Sequence, residues 1–257
     1  MVTEGGTALH SFYNLWKAFP NVKKRQVVKG IAQEIIDRLA KVGGTSGHAE
    51  MTKGFNYDSI CTAIDTEMYK LITFEMLVES GVDVCVGTAL VDAIKDGSRI
   101  KGVIAESRSG REAIFAHSFV DCTAIGDLAA WAGAQYAEPN DYPVANSIGV
   151  GNVSVEKYHE FLKSSDAVRE YSEGVRSGET GKIVRLHANY SKLPAAFRAV
   201  AGKIGMSVVI TTVHDNYFMF IKLNCRMPVS PTDRDAVAKT ELELRKRQAK
   251  AIQILRK

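Results

Sequence analysis

The sequence predicts an α/β fold joined to an α+β part built on an antiparallel sheet, on three observations. The apolar period shifts at Val82 from helical spacing to alternation with β-branched residues, so helices give way to strands there. Residues 119–136, Phe-Val-Asp-Cys-Thr-Ala-Ile-Gly-Asp-Leu-Ala-Ala-Trp-Ala-Gly-Ala-Gln-Tyr, form a buried strand, a small-residue turn with a Gly-Asp pair, and an alanine-rich helix. Residues 206–213 and 217–224 alternate again near the end of the chain.

Taken in order, Val27, Val28, Ile31, Ile35, Ile36, Leu39 and Val42 recur at helical spacing until Gly43-Gly44 stops them, which predicts a helix over 26–42. A loop is expected over 43–64. Asp65 is placed to cap a second helix that buries Met68, Leu71, Ile72, Met76 and Leu77 and ends at Gly81. Strands are expected at 82–86, 88–94, 100–106 and 113–117, the last three joined as a meander by Lys95-Asp96-Gly97-Ser98 and Arg108-Ser109-Gly110-Arg111. The turn-rich run 137–143 divides the chain into domains 1–138 and 139–257. Beyond it, helices are expected over 155–163 with Ser154 as cap, over 194–203, and over 233–257. The last of these should bury Leu242, Ala249, Ile252 and Leu255.

Composition excludes several classes. With 33 basic against 29 acidic side chains the charge is too balanced for a nucleic-acid or anionic-membrane partner, and the basic cluster from Arg245 to Lys257 fits a solvated helix face. Nucleic-acid binding through that helix is the reading this balance disfavours. No apolar stretch approaches the roughly 18 residues a membrane span requires, and no secretory signal opens the sequence, so a cytoplasmic location is expected. The four cysteines form no CxxC or CxxH pair, so no metal site is expected; Cys85 and Cys122 should be small buried thiols.

Two glycine-rich strings fail their tests. Gly43-Gly44-Thr45-Ser46-Gly47 comes after a helix, where a dinucleotide fingerprint comes after a strand. Gly178-Glu179-Thr180-Gly181-Lys182 has Arg176 in place of the first phosphate-loop glycine and Ile183 where magnesium needs a hydroxyl. His214-Asp215 fits an exposed turn better than a proton-transfer pair. His10, beside Phe12, Tyr13 and Trp16, lies in a segment suited to a flat ligand and is the one catalytic candidate, although core packing of the same aromatics is the favoured reading.

Together these strings, Gln26 to Leu39, Gly43-Gly-Thr-Ser-Gly-His, Asp65-Thr-Glu-Met-Tyr-Lys, Gly102-Val-Ile-Ala-Glu-Ser-Arg-Ser-Gly-Arg and Asp121 to Ala134, succeed one another in an order that resembles the FAD-dependent oxidoreductases of the two-domain, glutathione-reductase-like kind. The resemblance implies an incomplete Rossmann-like FAD-binding domain over 1–138 and an incomplete substrate domain over 139–257. It implies FAD as cofactor and a small-molecule substrate that delivers a hydride or an electron pair to the flavin. Carried over by position, the backbone at Leu90 meets the adenine, and the turn of Thr123, Ala124, Gly126 and Asp127 meets the diphosphate and ribose.

Two departures qualify the resemblance. The family usually carries Thr-Gly-Asp-Gly-Asp where this chain has Thr123-Ala124-Ile125-Gly126-Asp127. No GxGxxG stands after an N-terminal strand, and Gly5-Gly6-Thr7 resembles a remnant of the family's glycine-glycine-threonine segment. The expectation is therefore a fragment or split subunit whose partner is a separate chain carrying the GxGxxG segment. The alternative is a non-catalytic interaction module that has lost FAD.

Overall fold

The computed structural model describes residues 8–55, 58–138, 141–175, 182–211, 219–228 and 230–256. Strand β1 (Ala8–Leu9) precedes a segment that doubles back on itself: the Asn14 amide donates to the Arg25 carbonyl (3.0 Å) and the Val27 amide to that of Phe12 (2.8 Å). Val27 and Val28 are thus bonded elsewhere and stay outside the helix their spacing predicts. Helix α1 (Ile31–Lys41) starts after Gly30, whose φ of 64° breaks the helical path.

Residues 43–64 are not loop. They hold strands β2 (Ala49–Lys53) and β3 (Ile60–Ala63), and every side chain of β3 is buried. A strand covered on both faces shows no alternation, so periodicity could not reveal it. Helix α2 (Thr66–Glu79) begins where expected, because the Asp65 carboxylate accepts from the amides of Glu67 (2.8 Å) and Met68 (3.1 Å). Of its predicted inner residues only Ile72 is buried; Leu71 and Leu77 are exposed.

The meander forms as predicted from β4 (Ala89–Asp96), β5 (Arg99–Ser107) and β6 (Gly110–Phe115). The strands expected at 82–86 and 119–122 do not form. Val82, Val86 and Val120 are exposed, and among the described residues no strand pairs with either segment, so their amides have no ladder to join. Cys85 and Cys122 are exposed with them, against expectation, while Cys61 is the buried thiol. Helix α3 (Asp127–Trp131) is short: Gly133, at φ 88°, donates to the Ala130 carbonyl and Ala134 to that of Ala129, the two bonds of a left-handed helix stop.

The remaining elements are β7 (Tyr142–Val150), α4 (Val155–Ser164), β8 (Val168–Val175), β9 (Lys182–Ala188), α5 (Ala195–Lys203), β10 (Met206–Thr211), β11 (Met219–Met227) and α6 (Arg234–Leu255). Ser154 caps α4 through the Lys157 amide, and Asp233 caps α6 through those of Asp235 and Ala236. Three strands here, β7, β8 and β9, are not expected from the sequence pattern. One eight-stranded sheet runs β1-β3-β2-β8-β9-β10-β11-β7 and a three-stranded one runs β4-β5-β6. All pairings between described strands are antiparallel, so the fold is mixed α and β.

Alternation builds the core. Met206 and Val208 on β10 oppose Leu223 and Ile221 on β11, and these four bury against Leu162 of α4, Ala201 of α5 and Leu244 and Ala251 of α6. Fully burying one such Leu or Ile contributes about 1.5–3 kcal/mol. The inner stripe of α6 is Leu244, Gln248 and Ala251, with Ile252 half-buried; Leu242, Ala249 and Leu255 are exposed. Polar Gln248 in that stripe shifts the apparent apolar face by a few positions.

The chain divides into two units: Met76–Pro139, with the meander and α3, and Val2–Glu75 together with Asn140–Lys257, with the eight-stranded sheet.

Candidate functional site

The turn before α3 is organised by Asp121. One of its carboxylate oxygens accepts from the Thr123 amide (3.0 Å) and hydroxyl (2.7 Å), and the other from the Ala129 amide (2.9 Å). Hydrogen bonds from the Thr123 amide and hydroxyl, and from the Ala129 amide, hold its carboxyl below the ordinary carboxylate range. The Thr123 hydroxyl oxygen in turn accepts from the Asp127 amide (2.8 Å). Between them the backbone runs through two left-handed residues, Ala124 (φ 76°) and Gly126 (φ 81°). An added Cβ at Gly126 would meet nothing within 4 Å, so open space lies against the backbone there.

Asp127 is half-buried, and its carboxylate makes no hydrogen bond or ion pair among the described residues. It remains a free acceptor beside an open backbone. Three amides of the turn, those of Thr123, Asp127 and Ala129, are already taken by Asp121 and Thr123. Helix α3 packs on β4, and Lys95 of that strand donates to the Ala132 carbonyl (2.8 Å) at the helix end. Leu90, on the same strand, faces Ala105 across the β4–β5 ladder, and β4 is an edge strand of its sheet. Leu90 and the turn of Thr123, Ala124, Gly126 and Asp127 therefore belong to one unit.

His10 belongs to the other unit. Its Nδ1 lies 2.7 Å from the buried Asp58 carboxylate, which also accepts from the amides of Ser11 (3.2 Å) and Ile60 (3.0 Å). The neighbouring aromatics pack on protein: the rings of Phe12 and Tyr13 lie 4.7 and 5.4 Å from that of His48, and Lys24 sits over Tyr13 and Trp16. His48 bonds Thr62 and Gln33 through its two ring nitrogens, and burial, reinforced by Lys24 against the opposing Asp37, lowers its pKa. Sequence reasoning does not single out Asp58, which sits in a stretch that reads as loop, nor Asp121, whose role needs contacts two and eight residues away. His214-Asp215 and most of the 178–182 string lie outside the described residues, as does the Gly5-Gly6-Thr7 segment.

A strand edge, a left-handed turn and an unengaged carboxylate gathered in one unit suit a polyhydroxylated cofactor. The family model described as FAD dependent oxidoreductase matches residues 1–257. The chain belongs to this family. No curated protein and no solved structure matches it. Membership carries general oxidoreductase function and FAD as the family's cofactor. In this FAD-dependent oxidoreductase no helix among the described residues is long and apolar enough to cross a membrane.

Proposed function

We propose that the Thr123–Asp127 turn and the edge at Leu90 hold part of FAD, and that the chain serves transfer of a hydride or electron pair from a small-molecule substrate to it. The supporting observation is the Asp127 carboxylate, half-buried and unengaged beside the open backbone of Gly126. A carboxylate accepts hydroxyl donors, whereas a diphosphate requires donors, and the Thr123 and Asp127 amides at the two ends of this turn are spent on Asp121 and Thr123. The residues therefore fit the ribose or ribityl hydroxyls better than the diphosphate. FAD, when bound, supplies the two-electron acceptor; the chain orients it.

The phosphate clamp is then supplied by further polypeptide bearing the glycine-rich segment that completes a Rossmann-like sheet, either continuous with this chain or separate from it. Support comes from the exposed apolar side chains of this unit, including Val86, Val120 and Ile125, which a further layer would cover. We assign residues 139–257 to the substrate side, and the four free cysteines support a reducing, cytoplasmic setting. No nucleic-acid or membrane partner is included, since Arg245 and Arg247 of α6 are paired with Glu241 and Glu243.

The test is flavin absorbance of the purified chain, alone and with a glycine-rich N-terminal segment supplied. A yellow complex is expected with the segment, and Asp127→Ala should weaken retention by about tenfold, the loss of one charge-assisted hydrogen bond. No flavin under either condition would favour the non-catalytic module, a reading that the alanine in a left-handed position already favours.

A further inference from the structure

A second cleft, of about 420 Å³, lies in the unit of the eight-stranded sheet, where α4 packs on β8 beside β2. Its floor is the buried Val168 and its wall is a stacked ring pair, His159 on Tyr171, with centroids 4.4 Å apart and planes inclined by 23°. Tyr171 is fixed from two sides: its hydroxyl donates to Glu173 (2.6 Å) and its carbonyl accepts from the Thr52 hydroxyl (3.1 Å). Lys53 and Lys163 line the rim.

The two rim lysines are without a carboxylate partner among the described residues, as several other surface lysines are, but only these two line this cleft. Lys17, Lys24, Lys70, Lys101 and Lys192 all meet carboxylates, whereas the ammonium groups of Lys53 and Lys163 make no hydrogen bond or ion pair among the described residues. Of the lining residues Asp166 is acidic and faces Lys192 at 3.3 Å, while Glu173, bonded to Tyr171, and Glu160 act on the His159 ring. The cleft thus offers a flat ring surface, an apolar floor and two unengaged positive charges. Its volume is in the range of small-ligand sites.

We infer that this cleft binds a small aromatic anion, one flat ring carrying a single carboxylate or phosphate. The ring lies along the His159–Tyr171 wall and the anionic group meets Lys53 and Lys163, which are suited to it as point charges. This site stands apart from the flavin reading and does not depend on it.

Calorimetry with five probes separates the two parts of the recognition: benzoate and phenyl phosphate carry ring and charge, benzamide the ring alone, acetate and inorganic phosphate the charge alone. Benzoate or phenyl phosphate should bind about tenfold tighter than any of the other three, and Lys53→Gln with Lys163→Gln should remove that advantage. The His159 ring gives an independent readout by NMR titration. Burial and Lys163 hold its pKa down against the opposing Glu173 and Glu160, so an anion drawn into the cleft should raise it. Equal binding of benzoate, benzamide and acetate, or a His159 titration unmoved by saturating benzoate, overturns the inference. Flavin retention by the double lysine variant should be unchanged, which keeps this test distinct from that of the flavin turn.

Discussion

The eight-stranded sheet and the three-stranded meander are both antiparallel, yet they bury their apolar residues very differently. In the large sheet Leu186, Ile221 and Leu223 are fully buried beneath α4, α5 and α6. In the meander's unit Val103, Ala105 and Leu128 are covered, while every residue of β6 is exposed, Phe115 to 68% and Val120 beyond it to 85%. Strand pairing satisfies amides in both; only a second layer buries side chains, and the meander has just the five-residue α3 for that purpose. Pairing with a neighbour therefore determines that a strand forms, and the supply of covering elements determines whether its side chains are buried.

The largest test of that contrast is electrostatic. Glu170 and Arg185 form an ion pair of 2.9 Å with side chains 6% and 9% exposed, and His187 Nδ1 lies 3.3 Å from the same carboxylate. Burial pushes the Glu170 pKa up, but the His187 hydrogen bond and the Arg185 charge outweigh it and leave the carboxyl at about 2. A carboxyl depressed in the folded state contributes stability that is complete above its ordinary 4.5 and disappears as pH falls towards 2. Glu170→Gln should cost about 3–5 kcal/mol at neutral pH by removing the carboxylate charge that faces the buried Arg185 guanidinium. Urea denaturation at pH 7 and at pH 3 checks both statements: the wild type should weaken over that interval and the variant should lose this component of the pH dependence. A flat wild-type profile would remove the dry ionic cluster from the account.

Next in size is a pair of truncations. Ile221→Ala opens a cavity in the covered sheet and should cost about 2–5 kcal/mol, whereas Val120→Ser removes an exposed methyl pair and should stay within about 0.5 kcal/mol in this chain alone. Comparable losses from urea midpoints would show that Val120 is covered after all. If a supplied glycine-rich segment then makes Val120→Ser costly, the missing layer has been found.

The same contrast separates the parts of the fold that are legible in the sequence from those that are not. Caps are local, so Asp65 and Ser154 mark their helices correctly, and the turns at 95–98 and 108–111 locate the meander. Register and covering are not local. β3 is invisible to periodicity because both its faces are buried, and 82–86 and 119–122 look like strands in sequence but have no partner among the described residues. At the turn before α3, the residue pattern points to Gly126 and Asp127 and the family resemblance to Thr123 and Ala124, while Asp121 requires three dimensions, since its second oxygen closes on Ala129, eight residues on.

The smallest effect concerns Ala124, an exposed residue of the meander's unit. Its φ of 76° puts a Cβ in the left-handed region, which costs an L-residue about 1–2 kcal/mol. Glycine removes that strain but adds unfolded-state entropy worth about 0.4–1 kcal/mol, so Ala124→Gly should stabilise the chain by at most about 1.6 kcal/mol. Ala124→Val should do the reverse, because a branched side chain tolerates this conformation least. If the turn holds FAD, the glycine variant should also retain flavin several-fold better, since removing the methyl lets the cofactor approach the backbone more closely. An ordinary exposed alanine would instead be destabilised by glycine, and that sign in the urea midpoint would show that the left-handed turn does not exist in solution.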